Sequence, residues 1–218
     1  MPRDPLCLIP LGKSWTLCIN GDQIANVIPR AGATSVRRQA VKDLLAAGKF
    51  TVIKGNEGEI RTVYGAATTE QQRGVDSTSS LPLAQRASLA RDLSRRENGT
   101  VVLLTGVTDL LSDGKHTFRV DNGHELLGMV TGTGCTLGTT VSAMVSAYPA
   151  SPLVAAVAGT VMFGVAAERA VERSDVQGPG TFVPAFIDEL YAIRKATAGG
   201  DLRWLVAAKV QAVQVEDQ

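Results

Sequence analysis

The sequence contains few cysteines and almost no net charge, and both shortages narrow the classes of protein that it can encode. The three cysteines, Cys7, Cys18 and Cys135, are an odd number without zinc-finger spacing, which argues against a disulfide scaffold and favours reduced thiols in a cytoplasmic compartment. With 22 Lys+Arg against 21 Asp+Glu, no broad electrostatic field attracts nucleic acid or an anionic membrane. We therefore expect a small-molecule ligand, with no nucleic-acid and no membrane partner.

Histidines and long apolar runs are also scarce. Only His116 and His124 are present, and their spacing relative to Cys135 does not support a Cys–His nucleophilic pair. No uninterrupted apolar run resembles a signal peptide or a membrane span, so we expect a soluble, cytoplasmic protein. The 218 residues suffice for one compact domain whose core needs neither disulfide nor metal.

Alternating strand and helix patterns predict an α/β fold. Apolar residues recur at helical spacing in some segments, whereas short β-rich runs bounded by glycine or polar residues are typical of buried strands. This order predicts a mostly parallel central sheet with helices on both faces. The strand patterns lie at 50–54 and 100–105, and the helical patterns at 35–47, 82–97, 134–147, 152–173, 182–197 and, last, around 201–213.

Three segments add detail to this fold. Asp113-Gly114 lies between the runs 109–113 and 116–120, which predicts an antiparallel hairpin at one edge of the sheet. Residues 152–169 are small and apolar nearly all round, so this helix should lie inside the domain or in an oligomer interface. Residues 1–33 contain several prolines and only brief apolar pieces, which indicates poorly patterned chain or one isolated strand.

The segment TGTGC, residues 131–135, has the composition of an anion-binding turn. Gly132 and Gly134 allow the backbone to approach a ligand closely, and the helix that begins near Gly134 directs unpaired N–H groups and its positive dipole end outward. Cys135 in the first turn lies in the same field, which favours the thiolate, so that it can accept a proton or act as a nucleophile. On this motif alone a buried cysteine after an ordinary glycine turn is an equal alternative.

Two further strand ends carry candidate ligand-binding residues. Glu59 lies three residues after Asn56 in IKGNEGEI (53–60); the two can bind hydrated Mg²⁺ and phosphate oxygens, although the spacing alone favours a capping box. In LLTGVTD (103–109) a strand ends at Thr105 and Gly106, where it can touch a nucleotide or simply leave the sheet. His124, beside a turn, is interpreted as a turn histidine without a catalytic role.

Six segments occur together in a characteristic order: IKGNEGEI, RGVDS, LLTG, DLLSDG, NGHELLGMVTGTGC and GPGTF. In order and approximate spacing they resemble the motifs of hydroxyethylthiazole kinase, a thiamine-salvage enzyme of the ribokinase-like superfamily. The resemblance runs from about Ala31 to about residue 197. The chain resembles in particular the kinase half of the fungal bifunctional enzyme that also carries thiamine-phosphate synthase.

The resemblance implies Mg²⁺- and ATP-dependent phosphorylation of the hydroxyl of 4-methyl-5-(2-hydroxyethyl)thiazole by a homotrimer. Lys54 takes the place of a nucleotide-binding arginine and keeps its charge but not its bidentate geometry. The resemblance also implies that Cys135 is catalytic, at the position where other ribokinase-like enzymes keep an aspartate base, and that Gly132 lies at the thiazole alcohol. It implies that the metal is bound by Glu59 with Asn56. The residues that it implies contact ATP or its phosphates are Lys54, Thr105, Thr133 and Gly134.

The chain also departs from the family pattern. Family members carry a longer segment ahead of Ala31, so the resemblance implies an N-terminally truncated fold in which 1–30 is an atypical segment and 31–218 the C-terminal portion of the kinase domain. Before AGAT the family reads Asp-Pro-Val-Gly, whereas this chain has Pro29-Arg30 and no acid. Three interpretations stay open: a thiazole kinase, a kinase of another vitamin-precursor alcohol, or an impaired remnant that acts only in folding or oligomerisation.

Overall fold

The computed structural model describes residues 6–11, 14–19, 22–26, 39, 41–43, 45–46, 48–65 and 81–216, the backbone alone up to residue 26. The strands are β1 (Leu6–Leu11), β2 (Ser14–Ile19), β3 (Asp22–Asn26), β4 (Val52–Asn56), β5 (Val101–Thr105), β6 (Asp109–Ser112), β7 (Thr117–Val120) and β8 (Val210–Ala212). The helices are α1 (Glu57–Tyr64), α2 (Leu83–Arg96), α3 (Leu126–Met129), α4 (Thr133–Ala147), α5 (Pro152–Val171) and α6 (Pro179–Ala198), followed by a 3-10 helix at Arg203–Ala207.

The eight strands form one mixed sheet in chain order, β1 to β8. The expected parallel pairing holds at the centre, where β3–β4 and β4–β5 are parallel, but the other five described pairs are antiparallel. Parallel neighbours need a long crossover, which α1 and α2 supply between β4 and β5, whereas the short connections around β6 and β7 permit only antiparallel pairing. The hairpin at Asp113-Gly114 is confirmed, with Gly114 in the left-handed region at φ 85°.

The central strands are buried on both faces, as their sequences predict. Val101 and Leu103 of β5 point into a cluster with α4, α5 and α6, and the alternate residues Val102 and Leu104 point into a second cluster with α1 and α2. The period of two along a strand produces this division, since successive side chains leave on opposite faces. Helices therefore cover both faces of the sheet around β5.

Helix α5 is the core helix of the larger cluster. Its 20 residues have a mean hydropathy of 1.5 over the most apolar window, so by length and composition it could cross a membrane, contrary to the expectation that no such run exists. However, 67% of that window is buried inside the protein, which is typical of a core helix. The expectation that 152–169 lies in the interior is confirmed.

Several boundaries differ from the predictions. Within the described part of residues 1–33 there are three strands, not one: β2 pairs with β1 and with β3. The sequence did not predict them, because strand formation depends on pairing partners more than on local sequence. The expected last helix around 201–213 is wrong: after the 3-10 helix, β8 adds to the edge of β7, and the N–H of Val213 donates to the carbonyl of Thr117 at 2.8 Å.

The remaining helix predictions agree with the structure where it describes them. Residues 39, 41–43, 45 and 46 are helical within the predicted 35–47. Helix α6 begins at Pro179, three residues before the predicted start, because proline fits the first helical position without losing a hydrogen bond. The segment RGVDS (73–77) and the departure before AGAT (27–30) lie outside the described residues.

Candidate active site

Four segments meet at the carboxyl ends of the central parallel strands. β4 ends at Asn56 and leads directly into α1, and β5 ends at Thr105, which is the register partner of Asn56. The amino end of α4 reaches the same edge, since Gly134 lies beside Lys54 of β4. Open α/β sheets bind ligands at this edge, so the structure brings the predicted site residues together here.

The amino end of α4 is open to solvent and has no side-chain cap. Its N-cap residue, Gly132, has φ 109°, and Gly132, Gly134 and Cys135 are exposed. The hydroxyl of Thr133 donates to the carbonyl of Leu127 at 2.8 Å, so Thr133 offers a ligand its backbone N–H rather than its side chain. Because first-turn N–H groups have no acceptor within the helix, this corner has the polarity that an anion requires.

Cys135 is a free, exposed thiol in the first turn of α4. The alternative of a buried cysteine after an ordinary glycine turn is therefore wrong. The thiol is accessible to a ligand that approaches the N–H groups beside it, which is the placement that a proton acceptor for a bound alcohol needs.

Lys54 lies at the centre of the site. Its Nζ atom is 3.5 Å from the point that a Cβ atom on Gly134 would occupy, so the ammonium group faces the amino end of α4. Burial lowers the pKa of Lys54 below its ordinary value, while the nearby Glu59, Asp109 and Cys135 act in the opposite direction. A cation beside the positive end of a helix favours the binding of an anion between the two.

Asn56 and Glu59 form the capping box that their spacing favours. The N–H of Glu59 donates to Asn56 Oδ1 at 2.9 Å, and the N–H of Asn56 donates to Glu59 Oε2 at 3.0 Å. The cap fixes the Glu59 carboxylate at the end of β4, near Lys54. A carboxylate in a capping box can also contribute to ligand binding, because a carboxylate has about four lone-pair directions and the box itself uses only some of them.

The oxygen ligands available at this edge suit Mg²⁺ better than a cation whose ligands must all come from protein side chains. The described residues contain no cluster of three or more His, Cys, Asp or Glu side chains arranged to hold a metal. Mg²⁺ keeps several waters and commonly uses one or two carboxylates together with substrate phosphates. Glu59, with Asn56 beside it, would be the protein's contribution to such a shared coordination sphere.

Asp109 is a site residue that the sequence reasoning missed. Its Oδ1 accepts the N–H of Gly106 at 2.9 Å and so closes the turn between β5 and β6. Burial raises its pKa to about 6, while the Gly106 hydrogen bond, Lys54 and Arg86 favour the ionised form. A carboxyl that titrates near neutral pH beside a lysine is a recognised mark of a functional site. The available signal was an aspartate three residues after a glycine at a strand end.

The other candidates lie elsewhere. His116 contacts Asp113 in the β6–β7 turn at the opposite edge, 3.3 Å from Nδ1 to Oδ2. His124 Nδ1 accepts the N–H of Leu126 at 3.3 Å, as a turn histidine does. A cavity of about 390 Å³ also lies at the opposite edge, between Phe50, Asn98 and Leu153, and is remote from the site residues.

The sequence model of the hydroxyethylthiazole kinase family matches residues 29–196, which include every candidate site residue. The chain belongs to the hydroxyethylthiazole kinase family. A probable thiamine biosynthetic bifunctional enzyme of Schizosaccharomyces pombe is 38% identical over 186 residues, 83% of this chain and 35% of that protein. A hydroxyethylthiazole kinase of Thermoanaerobacter pseudethanolicus is 44% identical over 161 residues, 74% of this chain and 59% of that one.

A solved structure agrees with the sequence comparisons. The hydroxyethylthiazole kinase protein of Pyrococcus horikoshii OT3 superposes with a TM-score of 0.69 at 34% identity, over 88% of this chain and 65% of that one. The expected ribokinase-like α/β fold is thereby confirmed. The chain spans about a third of the bifunctional relative and less than two thirds of the kinases that it matches.

Proposed function

We propose that this site transfers the γ-phosphoryl group of ATP to the primary alcohol of 4-methyl-5-(2-hydroxyethyl)thiazole, a step of thiamine biosynthesis. The observation that carries the proposal is the position of Lys54 Nζ against Gly134 at the uncapped amino end of α4, directly beside the Cys135 thiol. A cation, N–H donors and a proton acceptor at one corner are what phosphoryl transfer to an alcohol requires.

The phosphoryl group would be held by the N–H groups of Thr133, Gly134 and Cys135 together with the Lys54 ammonium. These donors are fixed by the helix and by burial, so they stabilise the charge on the transferring oxygens without reorganising. Gly132, which has no side chain, leaves room for the thiazole alcohol. Thr105, at the end of the neighbouring strand, contacts the nucleotide.

Cys135 would accept the proton of the attacking hydroxyl. The alcohol oxygen bonds to the γ-phosphorus while the bond from phosphorus to the β,γ-bridging oxygen breaks, and ADP leaves with that electron pair. A well-placed base contributes about 10²–10⁴-fold to the rate. Mg²⁺ bound by Glu59, with Asn56 alongside, would neutralise phosphate charge, and the capping box keeps that carboxylate in place.

The same proposal covers the domain bounds, the oligomeric state, the location and the partners of the protein. We assign residues 31–218 to the kinase domain and 1–30 to an atypical N-terminal segment. We also propose a homotrimer with sites at subunit interfaces and a cytoplasmic location. The near-zero net charge of +1 supports the expectation of no nucleic-acid and no membrane partner.

The test is a coupled assay of ADP release with Mg·ATP and the thiazole alcohol, compared with a pyrimidine alcohol and pyridoxal. We expect turnover with the thiazole alcohol and its loss in Cys135→Ala and Glu59→Gln. His116→Gln, at the opposite edge, is the matched control and should keep wild-type activity. Turnover of another alcohol in preference to the thiazole, or robust activity in both site variants, contradicts the proposal.

A further inference from the structure

Arg86 of α2 lies beneath the turn that joins β5 to β6. Its side chain is buried, with only 8% of the residue exposed, and its Nη2 donates to the carbonyl of Thr108 at 2.8 Å. A hydrogen bond from a charged donor is among the stronger ones in proteins. The guanidinium group therefore fixes the distance between the turn and α2.

Gly106 shows how closely the turn rests on this side chain. A Cβ atom added at Gly106 would lie 2.6 Å from Arg86 Nη2, closer than real contacts permit, and 3.3 Å from its Cζ. The same Gly106 donates its N–H to Asp109. Two side chains thus fix the turn that follows Thr105: Arg86 by its hydrogen bond from α2 and Asp109 by its hydrogen bond inside the turn.

The same guanidinium faces the first residue of α1. Glu57 is buried, its Oε2 accepts the N–H of Leu81 at 3.0 Å and lies 3.9 Å from Arg86 Nε. Among the described residues Glu57 Oε1 has no hydrogen-bond donor; the Nη1 atom of Arg61 is 3.8 Å away. A buried carboxylate that is incompletely hydrogen-bonded depends on nearby cations, and Arg86 is one of them.

Arg86 consequently connects the two strand ends from which the proposed site takes its nucleotide and metal contacts. One end carries Thr105 and the turn after it; the other carries Asn56 and Glu59, which flank Glu57. We propose that Arg86 is a positioning residue that sets the separation between the nucleotide-contacting turn and the metal-binding start of α1. This inference rests on the proposed function.

The first experiment compares Arg86→Gln with Arg95→Gln. Arg95 is a matched control, because it also belongs to α2 and its Nε donates to a turn carbonyl, that of Gly114, at 2.8 Å, but at the opposite edge of the sheet. We expect Arg86→Gln to raise the Kd and KM for Mg·ATP about tenfold, with a much smaller change in KM for the alcohol. Arg95→Gln should lower Tm without changing the Kd for Mg·ATP.

Arg86→Lys tests the two contacts separately. It keeps the charge beside Glu57 but cannot reproduce the fork that reaches both Glu57 and Thr108. We expect its Tm to return close to wild type while its Kd for Mg·ATP stays between those of wild type and Arg86→Gln. Recovery of Tm together with a remaining defect in Kd has no explanation in lost stability alone.

Gly106→Ala keeps the inference testable where Arg86→Gln folds poorly. The added methyl displaces the guanidinium, so its effect on the Kd for Mg·ATP should resemble that of Arg86→Gln. In an Arg86→Ala background the methyl meets no guanidinium, so Gly106→Ala should then add less than about twofold, a non-additive cycle.

The outcomes separate the two proposals. A wild-type chain that does not bind Mg·ATP in calorimetry overturns both. A wild-type chain that binds it, with Arg86→Gln and Gly106→Ala at the same Kd, overturns the positioning role alone. Equal losses of Mg·ATP affinity in Arg86→Gln and Arg95→Gln also overturn it, since the effect then follows general stability.

Discussion

Lys54 Nζ and Gly134 face each other across the strand–helix boundary, with 3.5 Å between the ammonium nitrogen and the point that a Cβ on Gly134 would occupy. Two positive groups, a lysine and the amino end of a helix, are thus adjacent while the lysine is buried enough to lower its pKa. An anion bound between them is attracted by both groups, and this attraction offsets their mutual repulsion. The relationship predicts how phosphate affinity depends on pH.

The affinity of wild-type protein for Mg·ATP should fall as the pH rises. Since the pKa of Lys54 lies below its ordinary value, Lys54 loses its charge at a lower pH than a free lysine, and a neutral amine no longer attracts phosphate. Lys54→Arg keeps its charge at every accessible pH, so its affinity should stay flat over the same range. Calorimetric titration from pH ~7 to ~10 measures the difference.

Lys54→Met is the control for that experiment. It lacks the charge throughout, so its affinity should be low and should not follow the wild-type decline. A decline in Lys54→Arg as steep as that of wild type would show that another group causes the pH dependence, and a flat wild-type curve would contradict the prediction.

Gly132→Ala should mainly lower stability, whereas Gly134→Ala should mainly weaken binding. Gly132 has φ 109° and open space around it, so a side chain there costs backbone strain, about 1–2 kcal/mol of unfolding free energy. Gly134 is helical, and a methyl group meets Lys54 at an ordinary distance, so stability should hold or rise. However, that methyl fills the space between Lys54 and the N–H groups, and we expect weaker Mg·ATP binding by calorimetry.

The contrast between the two variants is the informative result. Urea unfolding should rank Gly134→Ala above Gly132→Ala, whereas calorimetry at a temperature where both are folded should show the larger loss of affinity in Gly134→Ala. Equal affinity in wild type and Gly134→Ala would place the anion elsewhere.

Asp109→Asn should stabilise the protein at neutral pH and not at acidic pH. The pKa of Asp109 is raised from 3.8 to about 6 in the folded chain, so the folded state binds the proton more tightly than the unfolded state. Stability from this group is present below pH ~4 and is lost as the pH rises to ~6, by no more than about 3 kcal/mol. The asparagine oxygen can still accept the N–H of Gly106, and its neutral amide avoids the loss.

Urea unfolding of both proteins at several pH values checks this. The variant should gain on wild type as the pH rises from ~4 to ~6, and the difference should then level off. A constant difference across that range would mean that Asp109 titrates as an ordinary carboxylate.

Local signals explain which parts of the fold and site could be predicted. Asp113-Gly114 predicted the hairpin, the Asn56/Glu59 spacing predicted the cap that forms, and the glycines of TGTGC predicted an open helix start. Each depends on residues a few positions apart. The ligand roles of Glu59, Thr105 and Gly132 stay predictions drawn from resemblance.

Asp109 and Arg86 could not be found in this way. Burial raises the pKa of Asp109, and the cations Lys54 and Arg86 act against that rise; these groups come together only when β4, α2 and β6 pack. Strand β8 was missed for a similar reason, because its hydrogen bonds go to β7, far away in sequence. The sequence of one segment alone does not show which distant segment it will pair with.

Gly164→Ala should destabilise the protein strongly, although glycine to alanine in a helix interior normally stabilises it by up to about 1 kcal/mol. A Cβ on Gly164 would lie 2.5–2.6 Å from the Cβ and backbone of Asn122, which cannot move cheaply. Asn122 accepts the N–H of Lys209 at 2.7 Å and donates to the carbonyl of Ala207 at 2.8 Å. We expect a loss of about 3 kcal/mol or more.

Gly128→Ala is the matched control, because Gly128 also lies in a helix and a Cβ there meets nothing within 4 Å. Its unfolding midpoint in urea should equal or slightly exceed that of wild type. Asn122 also begins the segment that leads through α3 to the amino end of α4. Displacing it should therefore weaken Mg·ATP binding as well as lower the urea midpoint of Gly164→Ala. A wild-type midpoint in that variant would mean that α5 can shift away from Asn122, and the segment before α4 would then not be fixed by this contact.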